Sequence, residues 1–258
     1  MLLAIDVKNK NTNFGIFKED KLLTKFSVMT DIERTVEEIK LTLKLILMDR
    51  NMKLSDVDEI IISSVVPELN QTYDDLSKEV INKSPKFISA GLKIGLNIKC
   101  ENPKDVGSDR VIRAVAASRT YNNNIILVSA SSITTIDYIN DKKEFIGGLI
   151  IPGIELFQKS LYQESSKLPK IDIKKEEKII GNNTITAMQR GIYFGYRNAV
   201  LGIINDISEV YHLDKSNTTL VLTGPYSEYL KTDKFEFTVN DTIALNGLNI
   251  INNLNRNK

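Results

Sequence analysis

The stretch AIDVKNKNTNFGIF, Ala4–Phe17, decides the fold. An apolar run ends around Asp6, breaks into a polar turn, and returns as a second apolar run. That outline predicts a strand, a turn and a second strand, with a carboxylate beside the turn. A turn of this kind suits a phosphate when its tip is small, because backbone N–H groups then reach the anion. Here the tip carries Lys8 and Lys10. The stretch thus poses a choice between a working phosphate loop, an altered one, and a plain hairpin.

Working outward, KLLTKFSV supplies a third strand. TVEEIKLTLKLILMDRN has helical spacing, with Ile39, Leu43, Ile46 and Leu47 on one face. DEIIISSVV is a continuous apolar run, as in a strand covered on both faces. Pro67 ends it, a helix is predicted from about Glu68 to Ile81, and KFISA is a short strand. A similar order then begins again. GSDRVIRAVAASRTY predicts a helix starting near Ser108 or Asp109. NIILVSAS, ITTIDYIN and EFIGGLIIPG predict three strands, followed by the helical patterns IELFQKSLYQES and TITAMQRGIYFGYRNAVLGIINDISEVY. TTLVLTG, KFEFTV and a helix in IALNGLNIINNL close the chain, with NRNK as a short solvated tail. The order β-β-β-α-β-α-β thus occurs twice in pattern. It predicts an α/β protein of two similar lobes with a nucleotide cleft between them. The boundary falls near residues 110–120, giving lobes 1–115 and 116–258.

Composition excludes several functions. The chain has 258 residues, 42% apolar and 26% charged, with net charge +1, so no global charge attracts nucleic acid or anionic membrane. No basic stripe, helix–turn–helix signal or aromatic-basic platform indicates DNA binding. Cys100 is the single cysteine and His212 the single histidine, which leaves no internal disulfide and no multi-cysteine or His-rich metal site. Met1 leads directly into a strand, and apolar runs such as GGLIIPGI are far too short for a membrane span. The expectation is a cytoplasmic protein.

Three stretches go beyond a generic α/β pattern: AIDVKNKNTNFGIF, GLNIKCENPKDVGSDRVIRAVAA (95–117), and GGLIIPGI (147–154) followed by GNNTITAMQRGIYFGY (181–196). In order and spacing the chain resembles the type III pantothenate kinases along essentially its whole length, and ENPxxVGxDR is the most specific element. That family belongs to the acetate kinase, sugar kinase, actin and heat-shock ATPase superfamily, which implies two ribonuclease H-like lobes. The resemblance implies ATP-dependent phosphorylation of pantothenate, the first step toward coenzyme A. It also implies a homodimer, a divalent metal such as Mg²⁺, and K⁺ or NH₄⁺. The family includes accessory-factor-type regulators, so a catalytically inactive homologue or a regulator stays open beside the kinase.

The residues fit that chemistry unevenly. Phosphoryl transfer to a hydroxyl needs a carboxylate to accept the proton, and Asp109 suits this. Arg110 suits a substrate carboxylate or the transferring phosphoryl group, and Gly107 allows close approach. Gly107, Ser108, Asp109 and Arg110 match the family's substrate motif, while Cys100 stands where members often have Tyr. Thr184 matches a substrate contact, and also suits the N-cap of the long helix.

The ATP side departs from the pattern. Where the family reads D-x-G-N-T, this chain has Asp6-Val7-Lys8-Asn9-Lys10, then Asn11. Asp6 is the implied metal-organising carboxylate. Lys8 adds bulk, and strain if the turn demands a positive φ there. Where the family reads D-x-G-T-A-x-T, the chain reads Ser129-Ala130-Ser131-Ser132-Ile133-Thr134-Thr135. Ser129 replaces the monovalent-cation aspartate, and Ser132 keeps a hydroxyl. Thr223-Gly224-Pro225 replaces T-G-G, which removes one N–H.

Overall fold

The computed structural model describes residues 1–89 and 91–256. The end of KFISA at Ala90 and the last two residues of the NRNK tail lie outside them. In chain order the strands and helices are β1 (Leu2–Val7), β2 (Asn11–Lys18), β3 (Lys21–Met29), α1 (Val36–Asp49), β4 (Glu59–Ser64), α2 (Asn70–Ile81) and β5 (Lys86–Phe87). There follow β6 (Asn97–Ile98), α3 (Ser108–Thr120), β7 (Asn124–Ser129), β8 (Ile133–Ile139), β9 (Glu144–Pro152), α4 (Ile154–Gln163) and α5 (Thr184–Val210). The chain ends with β10 (Thr218–Thr223), β11 (Phe237–Val239) and α6 (Ile243–Leu254).

Two compact units result. The first comprises Met1–Leu96, Glu101–Ala116 and Thr242–Lys258, and the second Asn97–Cys100 and Ala117–Asp241. The first unit holds a five-stranded sheet of order β3-β2-β1-β4-β5. The central strand β1 is buried throughout: the apolar run Leu2–Ile5 suits burial on both faces, and Asp6 near its end is buried with it. It pairs antiparallel with β2 from Leu2↔Phe17 to Val7↔Thr12, and parallel with β4 from Leu2↔Glu59 to Val7↔Ser64. Along α1, Ile39, Leu43 and Leu47 are buried, while Ile46 is only half-buried. Thr35 and Glu38 close the start of α1 with reciprocal side-chain-to-backbone bonds.

The second unit has sheet order β11-β10-β7-β8-β9-β6. Its first five strands repeat the arrangement of the first unit, so the doubled pattern read in the sequence is a doubled topology. Two details differ from expectation. Between β10 and β11 the helix shrinks to a single 3₁₀ turn, Ser227–Tyr229. The helix predicted from Glu68 begins as a 3₁₀ turn, Pro67–Leu69, and becomes α-helical at Asn70, with Pro67 at the first position, where its missing N–H costs nothing.

One of the divisions between the units falls at Ala116/Ala117, inside α3. The C-terminal segment departs from the expected 116–258 lobe, because α6 joins the first unit. Gly247 of α6 lies against the Ile112 carbonyl of α3, where a Cβ would overlap the oxygen. Polar bonds fix the same helix. Asn252, fully buried, accepts from Lys86 Nζ at 2.9 Å and donates to Glu59. Asn255 accepts from the Lys93 amide at 3.1 Å and donates to its carbonyl at 2.9 Å. These bonds satisfy buried amides beside the apolar residues that α6 also buries, Leu245, Leu248 and Ile251.

Candidate active site

The first turn is tight and anchored. The Lys8 amide donates to the Asn11 carbonyl at 3.2 Å, leaving Asn9 and Lys10 at the tip. Thr30, just after β3, braces it from behind. Its hydroxyl donates to the Lys8 carbonyl at 2.6 Å, and its amide to the Lys10 carbonyl at 2.8 Å. Lys8 is not strained here: the non-glycine residues with positive φ are Glu19, Asn51, Asn82, Lys143 and His212. The departure from glycine therefore costs side-chain space and not backbone conformation. Asn9 also borders a pocket of about 440 Å³ lined by Thr30, Asp31, Val65, Pro67 and Glu68.

The Lys8 side chain folds back on Asp6. Its Nζ is 3.3 Å from Asp6 Oδ2, and the Asp6 side chain is fully buried. Asn13 reaches the same oxygen at 3.5 Å. Asp6 Oδ1 is buried and has no hydrogen-bond partner among the described residues.

Strand register ties this turn to the VGSDR motif. Asp6 pairs with Ser63 on β4. Ser63 donates to the Ser108 hydroxyl at 3.0 Å, and Ser108 donates to the Ser64 carbonyl at 3.2 Å. The neighbouring Asp109 accepts from Arg113 Nη2 at 2.8 Å, one turn further along α3. Burial pushes the Asp109 carboxyl up. The charge and hydrogen bond of Arg113, the charge of Lys8 and the Arg110 amide outweigh it and hold Asp109 below the usual carboxylate range. Asp6, Lys8, Ser108 and Asp109 thus gather in one unit. Gly107 is needed for space: a Cβ there would come within 2.9 Å of Asp109 Oδ1.

The other predicted residues lie in the second unit. Ser129 ends β7 and is buried, and Ser131 donates to the Ile133 carbonyl at 2.6 Å. Two glycines grip this second turn. A Cβ on Gly153 would overlap the Ser131 carbonyl, and one on Gly224 would overlap that of Ala130. Gly224 also has φ +101°, which side chains rarely adopt. Ser132 is half-buried and accepts from the Gly153 amide at 3.0 Å through its carbonyl. Cys100, half-buried, sits 3.9 Å from the Ile146 carbonyl. Thr184 does not cap α5. Asn183 does, accepting from the Thr186 amide at 2.9 Å while Thr186 accepts from the Asn183 amide at 3.3 Å. Thr184 is therefore the first helical residue, and it is exposed.

Arg113, Thr30 and Ser63 were not among the residues singled out from the sequence. Thr30 and Ser63 reach the site only through strand pairing. Arg113 left a trace, a basic residue four positions after an acid inside an apolar helix.

No group of three or more His, Cys, Asp or Glu able to hold a metal occurs among the described residues. A divalent cation held by one carboxylate, waters and substrate phosphates needs only one such oxygen. The unpartnered Asp6 Oδ1 suits that role. No helix among the described residues is long and apolar enough to cross a membrane.

Comparison with known proteins bears on the fold and the family. Solved structures share the fold at low identity. A conserved putative Baf family transcriptional activator from Campylobacter jejuni is 19% identical with TM-score 0.60, covering 99% of this chain and 100% of that one. A putative 2-dehydro-3-deoxygalactonokinase from Sinorhizobium meliloti is 10% identical with TM-score 0.57, covering 98% of each chain. Sequence relatives are much nearer. The type III pantothenate kinase of Finegoldia magna is 39% identical over 100% of this chain and 98% of its own. That of Halalkalibacterium halodurans is 36% identical over 97% and 98%. The family profile described as type III pantothenate kinase matches residues 2–206, and this chain belongs to that family.

Proposed function

We propose that the protein transfers the γ-phosphoryl group of ATP to the primary hydroxyl of pantothenate, giving 4'-phosphopantothenate and ADP. The observation that carries this reading is the joining of the Asp6 turn to Asp109 within one unit, through Ser63 and Ser108. The hydroxyl oxygen bonds to phosphorus, the bond to the ADP oxygen breaks, and the hydroxyl proton passes to Asp109. Asp109 is a carboxylate of low basicity, so it orients the hydroxyl and takes the proton late. Arg110 and Gly107 serve pantothenate, and Thr184 contributes from the exposed start of α5. Lys8, Asn9, Lys10 and Asn11 receive phosphate oxygens, with Ser132 supplying a hydroxyl. Lys8 acts there as a point charge.

A divalent cation, when bound, neutralises phosphate charge, and Asp6 is the residue that would hold it. The monovalent-cation site is reduced in this chain, since Ser129 offers a hydroxyl where the family pattern has a carboxylate. The same reading includes a homodimer. Exposed Ile179, Ile180 and Ile185 before and within the start of α5 support it.

A second reading, a weak or inactive homologue acting by metabolite or protein binding, is favoured by Ser129, Ser131 and Pro225 in the second unit. A coupled assay with ATP, Mg²⁺ and pantothenate separates the two. Turnover that falls by a factor of about 10²–10⁴ in Asp109→Asn supports the kinase. Pantothenate binding by calorimetry without turnover supports the second reading.

A further inference from the structure

Helix α3 buries an arginine among apolar neighbours. Arg113 is 2% exposed, and Ile112, Ala114, Val115, Ala116 and Ala117 around it are buried as well. A guanidinium in such a place is costly unless something requires its direction. Its Nη2 points at Asp109 Oδ2, 2.8 Å away. The other carboxylate oxygen, Oδ1, lies on the side of Gly107, where the absence of a Cβ leaves it room.

We propose that Arg113 is a positioning residue: it holds Asp109 Oδ2, so that Oδ1 is the oxygen presented to the acceptor hydroxyl. The role rests on the kinase reading above. The planar fork fixes direction where an apolar residue of similar size would leave the carboxylate free to rotate. The groups that act on Asp109 are the Arg113 guanidinium and the Arg110 backbone amide on α3, and the charge of Lys8, itself paired with Asp6, from the first turn. From β4, Ser63 and Ser64 meet α3 at Ser108 and carry no charge. From α6, Gly247 meets it at Ile112. Arg113 puts a charged donor within hydrogen-bond distance of the carboxylate, and its charge and hydrogen bond lead the causes that hold it ionised.

Carboxyl ¹³C NMR of the full chain, with the Asp109 signal identified by its loss in Asp109→Asn, reads this directly without nucleotide. In Arg113→Gln the Asp109 midpoint should rise by about 1 unit or more. In turnover, Arg113→Gln should lower kcat about 10- to 100-fold with the KM for ATP within about 2-fold. The acid limb of its kcat profile should move to higher pH, because the carboxylate form is then lost sooner as pH falls. Arg113→Lys keeps the charge and loses the fork, so it should recover part of kcat. A folded Arg113→Gln protein with the parent's midpoint and kcat overturns the proposal. If that variant does not fold, Arg113→Lys decides: a parent-like kcat overturns the proposal, and a reduced kcat at unchanged KM for ATP supports it. A parent protein without turnover refutes the kinase reading and with it the presentation of Oδ1 to a hydroxyl. The NMR titration then still shows whether Arg113 governs Asp109.

Discussion

Lys8 Nζ stands 3.3 Å from Asp6 Oδ2 at the base of the first turn. The carboxylate is fully buried, and the lysine side chain is 27% exposed. The basic residue that breaks the family's glycine pattern therefore answers the one buried acid of the turn. It does so without backbone strain and leaves the buried Asp6 Oδ1 without a hydrogen-bond partner among the described residues.

Replacing Lys8 by Met should weaken ATP binding about 10-fold or more, the range for one lost charge-assisted contact. Lys8→Arg should keep part of the affinity. Calorimetry with a non-hydrolysable ATP analogue measures this. Tighter binding in Lys8→Met or Lys8→Gly makes the lysine an obstruction and not a phosphate ligand.

Potassium should change turnover less than about 2-fold in the parent, since Ser129 supplies no carboxylate to hold a weakly bound cation. Ser129→Asp should introduce a K⁺ response in the same coupled assay. A strong K⁺ requirement in the parent contradicts the reading of Ser129 as a lost cation ligand.

The start of α5 separates capping from substrate contact. Asn183→Ala should lower stability by about 1 kcal/mol, the usual worth of an N-cap side chain. Thr184→Ala should leave stability within about 0.5 kcal/mol and raise the KM for pantothenate. Chemical denaturation and steady-state kinetics distinguish the two. Loss of stability in Thr184→Ala with unchanged KM reverses the assignment.

Gly247→Ala should destabilise the first unit by about 1–3 kcal/mol, because the added Cβ meets the Ile112 carbonyl and backbone does not move aside cheaply. Thermal denaturation followed by circular dichroism tests it. An unchanged melting temperature means that α6 shifts on α3 at little cost. Ala at Gly191, where a Cβ meets nothing within 4 Å, is the control.

Much of the architecture is a local property of the chain. Apolar runs such as Leu2–Ile5 and Ile60–Ile62 form strands because nothing polar interrupts their burial on two faces. The spacing of Ile39, Leu43 and Leu47 makes a helix because it puts one apolar stripe on one side. Asp6, Gly107, Ser108 and Asp109 stand out in the sequence because each lies in a short motif that matches the family's pattern, and the fold places them in one unit. What stayed hidden depends on contacts between distant segments. Thr30 braces the first turn only because β3 returns beside β2, and Ser63 meets Ser108 across 45 positions of sequence. The membership of α6 in the first unit turns on a glycine meeting a carbonyl and on asparagines meeting Glu59, Lys86 and Lys93. Composition and periodicity carry no record of such pairings.

The sequence by itself determined the repeated α/β order and the family. The tertiary structure decided which charges meet the carboxylates: Lys8 at Asp6 and Arg113 at Asp109. The physical reason is range. Backbone propensity and apolar period act over a few residues, whereas the partner of a buried carboxylate is whichever charge the fold brings within about 4 Å of it.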